Sequence, residues 1–354
     1  MSAQQCVSIF SKIPDGYRFE LFEQLSHLYD SKVFYWTDAA DDRVLHLPDQ
    51  EKYTFDFQVV HRAIFALIRD PHFIRSEVVF LAGYNYWWFW VLFFVSKLLG
   101  KRVVQYSDSN MSHEKTKPLF FRQLKKIVLY PLVRGSFFLY CGQQNKAYWA
   151  YYGVPDTRLI YAPYAVDTEL FKPRACKKSK VFTFLFVGRL VQAKAIHTLI
   201  LAFQQLSFRY PMCELQILGH GKEQGFLEEL SQGLNVRFLG GKKREAIPEI
   251  MACADVFVLP SVEEPWGLVV NEAMLMGKPL ILSHHVGAAT DLLEDTVNGF
   301  LFEAGNVTQL ANKMRWFLEH PDHLQEMGGQ SLRLVQPFTL EKMVEGYKRV
   351  IDHV

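Results

Sequence analysis

The chain reads as two doubly wound α/β domains, and three observations predict this. It has 354 residues, more than a single hydrophobic core ordinarily serves. Short β-rich runs alternate with amphipathic segments at the spacing of parallel strands joined by crossover helices. Between the halves lies a segment, 167–180, that carries Pro173 and the cations Lys172, Arg174, Lys177, Lys178 and Lys180 with no apolar period, which reads as a linker. The expected domains are therefore 1–166 and 181–335. The remainder, 336–354, has apolar residues at helical spacing and no strand after it, so a terminal helix should pack back across the domain junction.

In the first domain the pattern predicts strands at 7–10, 33–36, 78–82, 103–106 and 137–141, with helices at 20–28 and 58–68. In the second, strands fall at 181–187, 213–218, 236–239, 256–259 and 280–283. Helices follow at 195–208, 223–230, 246–252 and 268–276. The last of these closes on Gly277 with Pro279 just beyond, a helix stop.

Apolar residues make up 49% and charged residues 21%, a globular balance, and a net charge of +2 is too small to imply nucleic acid. The five cysteines, Cys6, Cys141, Cys176, Cys213 and Cys253, include no Cys-x-x-Cys pair, so they read as reduced and structural, in a cytoplasmic chain. The first dozen residues lack the basic and apolar regions of a secretory signal. Residues 78–96 contain no charge, about the length of a membrane span, but Gly83-Tyr84-Asn85-Tyr86 breaks them into a strand and a separate apolar helix. In that helix Trp87, Trp88, Phe89, Trp90, Phe93 and Phe94 precede a basic stretch. From Lys97 to Arg134 nine cations stand against two acidic residues. The cluster fits either a core helix with solvated cations outside it, or an interfacial helix docked peripherally on anionic membrane.

Three loops at strand carboxyl ends hold the chemistry, where ligands sit in such sheets. Glu264-Pro-Trp-Gly-Leu-Val-Val-Asn-Glu272 places one carboxylate on a loop and another just inside a helix. The free N–H groups around Gly267 and Leu268 carry partial positive charge and suit a phosphate. Glu264 and Glu272 can then accept from sugar hydroxyls on either side of it. Val187-Gly188-Arg189-Leu190 with Lys194 brackets a helix start with two cations, the wrong sign for that end of the dipole, so an anion is expected there. Gly219-His220-Gly221 is a tight turn after the next strand. In the first domain, Gly16 lies between Asp15 and Tyr17 after the first strand, and Gln105-Tyr-Ser-Asp-Ser-Asn110, near His113, follows another. Asp108 alone is not a metal site, and no Asp-x-Asp motif is present.

The string from Pro260-Ser261 through Glu264-Pro-Trp-Gly-Leu, Glu272-Ala-Met and Pro279 resembles the Glu-x7-Glu signature of retaining glycosyltransferases of family 4. Gly188-Arg189-Leu190…Lys194 and Gly219-x-Gly221 fall in the matching order, from about residue 159 to 305. The resemblance implies a GT-B architecture, two Rossmann-like domains facing across a cleft. It implies that Arg189 and Lys194 face the diphosphate of a UDP-, GDP- or ADP-sugar, that Glu264 lies near the donor sugar, and that Glu272 binds the ribose. Gly188, Gly219, Gly221, Gly267, Leu268 and Gly16 would line the donor pocket. It further implies retention by front-face attack without a metal, and a glycan or lipid-linked acceptor in cell-surface polysaccharide or glycolipid synthesis. Two departures stand out: Ala195 replaces the family's glycine after the lysine, and only Gly16 remains of a usual glycine pair. Val286-Gly287 to Asp291 matches a glycine-rich turn in part. An epimerase of the UDP-N-acetylglucosamine type, or a noncatalytic binding protein, would share the fold. The first would need general acid and base residues that these motifs do not supply.

Overall fold

The computed structural model describes residues 4–12, 14, 16–37, 49, 51–61, 64–176 and 180–353. Asp15, Lys177 and Lys178 lie outside them. The chain forms two compact units, Met1–Ala165 with Thr339–Val354, and Val166–Phe338. The segment read as a linker is counted with the second unit, where Phe171 is fully buried.

The first unit contains β1 (Cys6–Ser11), α1 (Phe19–Leu28), β2 (Asp30–Thr37), β3 (Asp56–His61), α2 (Ile64–Ile68), α3 (Pro71–Arg75), β4 (Val78–Ala82) and α4 (Trp87–Leu98). It continues through β5 (Arg102–Tyr106), α5 (Met111–Lys115), α6 (Leu119–Gly135), β6 (Ser136–Tyr140), α7 (Gln143–Tyr151) and β7 (Leu159–Tyr161). The strands form one parallel sheet in the order β3-β2-β1-β4-β5-β6-β7. Strands covered on both faces lose their alternation and become apolar runs, as in the fully buried Val78-Val79-Phe80-Leu81. Aromatic rings fill the space beside the sheet, Phe10 stacking on Phe34 at 4.8 Å and Phe138 meeting Trp149 at 4.5 Å.

Two expectations for this unit fail. Residues 58–68 are not one helix: Gln58 to His61 belong to edge strand β3, and only Ile64–Ile68 is helical. Adjacent β-branched residues, Val59 and Val60, and the alternating exposure from Asp56 to Val59 favour the extended form. Helix α6 was not foreseen at all, because Pro131 within it reads as a breaker.

The second unit contains β8 (Phe182–Val187), α8 (Ile196–Ser207), β9 (Cys213–Leu218), α9 (Gln224–Leu230), β10 (Val236–Gly240), α10 (Ile247–Cys253), β11 (Val256–Leu259), α11 (Leu268–Leu275) and β12 (Leu280–Ser283). Then follow α12 (Ala289–Leu292), β13 (Gly299–Phe302), α13 (Val307–Glu319) and α14 (Leu324–Val335). Its six strands run parallel in the order β10-β9-β8-β11-β12-β13. The order reverses between β8 and β11, so the loops beyond these two strands open the crevice where doubly wound sheets bind ligands.

The last helix, α15 (Leu340–His353), belongs to the first unit and lies against α1, β6 and β7. Tyr347 stacks on Phe80 at 4.9 Å, and Arg102 Nη1 donates to the carbonyls of Val350 and Ile351 at 2.9 and 2.8 Å. That places a cation at the helix's negative end.

The cysteines are not all reduced. Cys176 and Cys253 form a disulfide with Cα atoms 5.3 Å apart, while Cys6, Cys141 and Cys213 are free and buried. A pair separated by 77 positions leaves no local spacing to read, and the bond removes the ground for inferring a reducing compartment. No helix among the described residues is long and apolar enough to cross a membrane.

Candidate donor site in the second unit

The loops beyond β8 and β11 are stitched together through their backbones. Val262 N and Glu263 N both donate to the carbonyl of Ala193, at 2.9 and 3.2 Å. This brings the 3-10 turn Gln192–Lys194 against the strand-to-helix loop that carries Glu264. Gly287 N donates to Glu264 O and Ala288 N to Trp266 O, each at 2.9 Å, fixing that loop from its other side. The Trp266 indole is held by Asn271 Oδ1 at 3.0 Å.

Beyond β9 the turn closes onto the same loop, Leu190 N donating to His220 O and Glu223 N to Leu190 O. A Cβ on Gly219 would stand 1.8 Å from Gly188 O, and one on Gly221 2.2 Å from Leu190 O. Both positions therefore require glycine, so the Gly-x-Gly spacing records a close backbone approach. Gly188 directly follows β8 in the extended region.

Lys194 and Glu264, expected at the same ligand, are ion-paired with each other. Burial pushes the Lys194 ammonium down to about 8, and the nearby Arg189 charge acts in the same direction. A value of about 8 still leaves the lysine mostly protonated at neutral pH, where it faces the Glu264 carboxylate. Arg189 itself is exposed.

At the start of α11, Gly267 takes φ +94°, and no side chain caps the helix. Val270 N turns back to Gly267 O at 2.8 Å. The N–H groups of Leu268 and Val269 are those without an intrahelical partner, the arrangement that accepts an anion. One turn further on, Glu272 is almost fully buried. Burial raises its carboxyl to about 7, and Arg244 opposes the rise. Arg244 Nη2 lies 3.3 Å from Glu272 Oε1, and its guanidinium covers the Phe171 ring at 5.4 Å. Sequence reasoning missed Arg244. The available signal was the run Lys242-Lys243-Arg244 immediately beyond β10, another carboxyl-end loop.

Ala195, standing where the family has glycine, adopts φ +47° and ψ +41° as the residue preceding α8. The position does demand left-handed backbone, and alanine occupies it under strain.

Gly16 belongs to the other unit, in the 3-10 turn Gly16–Arg18. A Cβ there would meet nothing within 4 Å, so this turn imposes no need for glycine. Its neighbour Arg18 is buried, within 5.0 Å of the Tyr17 ring and 4.8 Å of the Tyr106 ring. Asn110 accepts from His113 N at 2.9 Å as the cap of α5, a structural role for the end of that string. Among the described residues, the Cys6, Asp30 and His72 side chains come close enough to suggest a metal. Cys6 and Asp30 start β1 and β2, and His72, in α3, is already bonded to Ser8 Oγ at 3.2 Å and to Asp30 O at 3.1 Å.

Residues 167–332, which fall within the second unit, match the family described as Glycosyl transferases group 1. An uncharacterized glycosyltransferase of Haemophilus influenzae is 28% identical over 173 residues, 48% of either chain. The chain thus spans about half the length of this curated relative, and 33–34% of two others. Over the whole chain the fold is that of GT-B glycosyltransferases. The Anabaena HepE protein in complex with UDP-glucose superposes with a TM-score of 0.78 at 22% identity, covering 98% of this chain and 100% of that one. WaaG, a glycosyltransferase involved in lipopolysaccharide biosynthesis, gives 0.70 at 16% identity, with 98% and 100% covered.

Proposed function

We propose, from the match of residues 167–332 to the group 1 glycosyltransferase family, that this protein transfers a sugar from a nucleotide-sugar donor with retention of configuration and without a metal. One observation carries the reading: the turn that holds Lys194 is bonded, through backbone and ion pair, to the loop that carries Glu264 just ahead of the uncapped start of α11. The UDP-glucose complex of the HepE protein supports the same class of donor.

The chemistry follows from the charge that builds on the leaving diphosphate as its bond to the anomeric carbon lengthens. Fixed cations and N–H groups there lower the transition state more than the ground state. Lys194 and Arg189 supply the cations, and the Leu268 and Val269 amides the dipoles. Lys194 has three N–H donors, so pairing with Glu264 leaves others for phosphate oxygens. Glu264 then orients the donor sugar, and Glu272 accepts from the ribose hydroxyls. In front-face retention the leaving phosphate takes the acceptor's proton, and these residues provide no separate base. The acceptor we infer is a glycan or a lipid-linked sugar presented at a membrane surface. WaaG's role in lipopolysaccharide biosynthesis supports this class.

Thermal-shift screening against UDP-, GDP- and ADP-sugars tests the donor assignment. One of them should raise the melting temperature of the wild type. Replacing Lys194 or Glu272 by alanine should abolish that response and lower turnover by about 10²- to 10³-fold. Full activity in both variants would refute the site.

A further inference from the structure

Helix α6 is apolar on the side where a surface helix is ordinarily polar. Its inner face, Leu129, Leu132 and Val133, is buried in the core of the first unit. At 100° per residue, Phe120, Leu124, Ile127 and Pro131 fall on the opposite stripe. All four are exposed, Phe120 and Ile127 each at 72%. The apolar surface extends onto α4: Phe121, Leu124 and Val128 line a shallow groove of about 260 Å³ with Tyr84 and Trp90. The far end of α6 abuts the same helix, where a Cβ on Gly135 would lie 3.1 Å from Phe93.

The charge around this surface has one sign. From Lys115 to the end of α6 at Gly135 there are six lysines and arginines and no acidic residue. Glu114, just before, is buried and bonded to Lys117, Lys125 and Tyr152. Lys115 and Arg134 are exposed.

We propose that the outward face of α6 docks the protein on an anionic lipid bilayer, the helix lying in the plane of the interface. This deepens the reading of a lipid-linked acceptor and rests on it. The Trp87 cluster is not the anchor, because Trp88, Phe89 and Phe93 are core, Trp90 is half-buried, and only Trp87 and Phe94 are exposed. Aliphatic and aromatic side chains enter the acyl boundary while lysine and arginine remain at phosphate level. A second copy of the chain fits less well. A two-fold interface sets a patch against itself, and here cations would face cations. The helix lies on the surface and does not span: at 17 residues it is about 26 Å long and carries cations along its length.

The full chain should co-sediment with vesicles containing about 30% phosphatidylglycerol at about 50 mM salt, release at about 500 mM, and ignore pure phosphatidylcholine. The double variant Phe120→Ser/Ile127→Ser should lose about tenfold in partitioning, with an unchanged melting temperature because both side chains are exposed. Its thermal shift with the donor should also persist, which separates this proposal from the donor assignment. Absence of wild-type binding to anionic vesicles, equal binding to neutral ones, or equal binding by the variant would overturn it. So would a wild-type dimer that the variant dissolves.

Discussion

In the proposed site, Glu272 and Lys194 would set opposite limits on donor binding. A carboxylate accepts from ribose hydroxyls, but burial keeps the Glu272 proton in place up to about pH 7. An ammonium grips the diphosphate, but Lys194 begins to lose its proton near pH 8. Affinity for the donor, measured by calorimetry from pH 6 to 8.5, should therefore rise through about 7 and fall beyond about 8. Glu272→Gln should flatten the acid limb and leave the alkaline one. The folded carboxyl also binds a proton in an interval where an unfolded one, with its ordinary value of 4.5, has released it. Stability should accordingly decline as pH rises from about 4.5 to 7 in the wild type, and less so in the variant. The loops that carry Glu264, Glu272, Arg189 and Lys194 were legible as strand-end loops because a run of neighbours fixed their context. The Lys194–Glu264 pair and Arg244 were not, since such contacts form between loops far apart in sequence.

At the scale of elements, five of the six strands of the second unit were legible almost to the residue, and only β13 was not foreseen. Their β-branched and aromatic runs are short and bounded by turns, and β8, β11 and β12 are buried on both faces. The first unit was harder: an edge strand sat next to a short helix, and α6 hides its period because apolar residues occupy both its inner and outer stripes. The turn before α8 is where propensity and geometry disagree. Alanine in the left-handed region costs about 1 kcal/mol that glycine avoids. Ala195→Gly should raise stability by roughly that amount in urea denaturation. Lower stability would mean that the buried methyl of Ala195 contributes more than the backbone strain costs.

At the scale of the whole molecule, the disulfide closes a loop of 77 positions inside the second unit. In the chain-entropy account such a loop stabilises by about 4 kcal/mol. Cys176→Ser/Cys253→Ser should lower the melting temperature by about 5–10 °C, and reductant should lower the wild type equally while leaving the variant unmoved. Nothing in the spacing of the cysteines foretold the bond, because it joins the irregular segment before β8 to the end of α10, which only the fold brings together.

The placement of α15 has a consequence for biosynthesis. The ribosome emits Phe80 and Arg102 early, yet the partners that cover them, Tyr347 and the carbonyls of Val350 and Ile351, emerge only after the entire second unit. The unit translated first is thus the last to be finished, and a nascent chain halted near residue 338 would hold one completed sheet and another still lacking its lid.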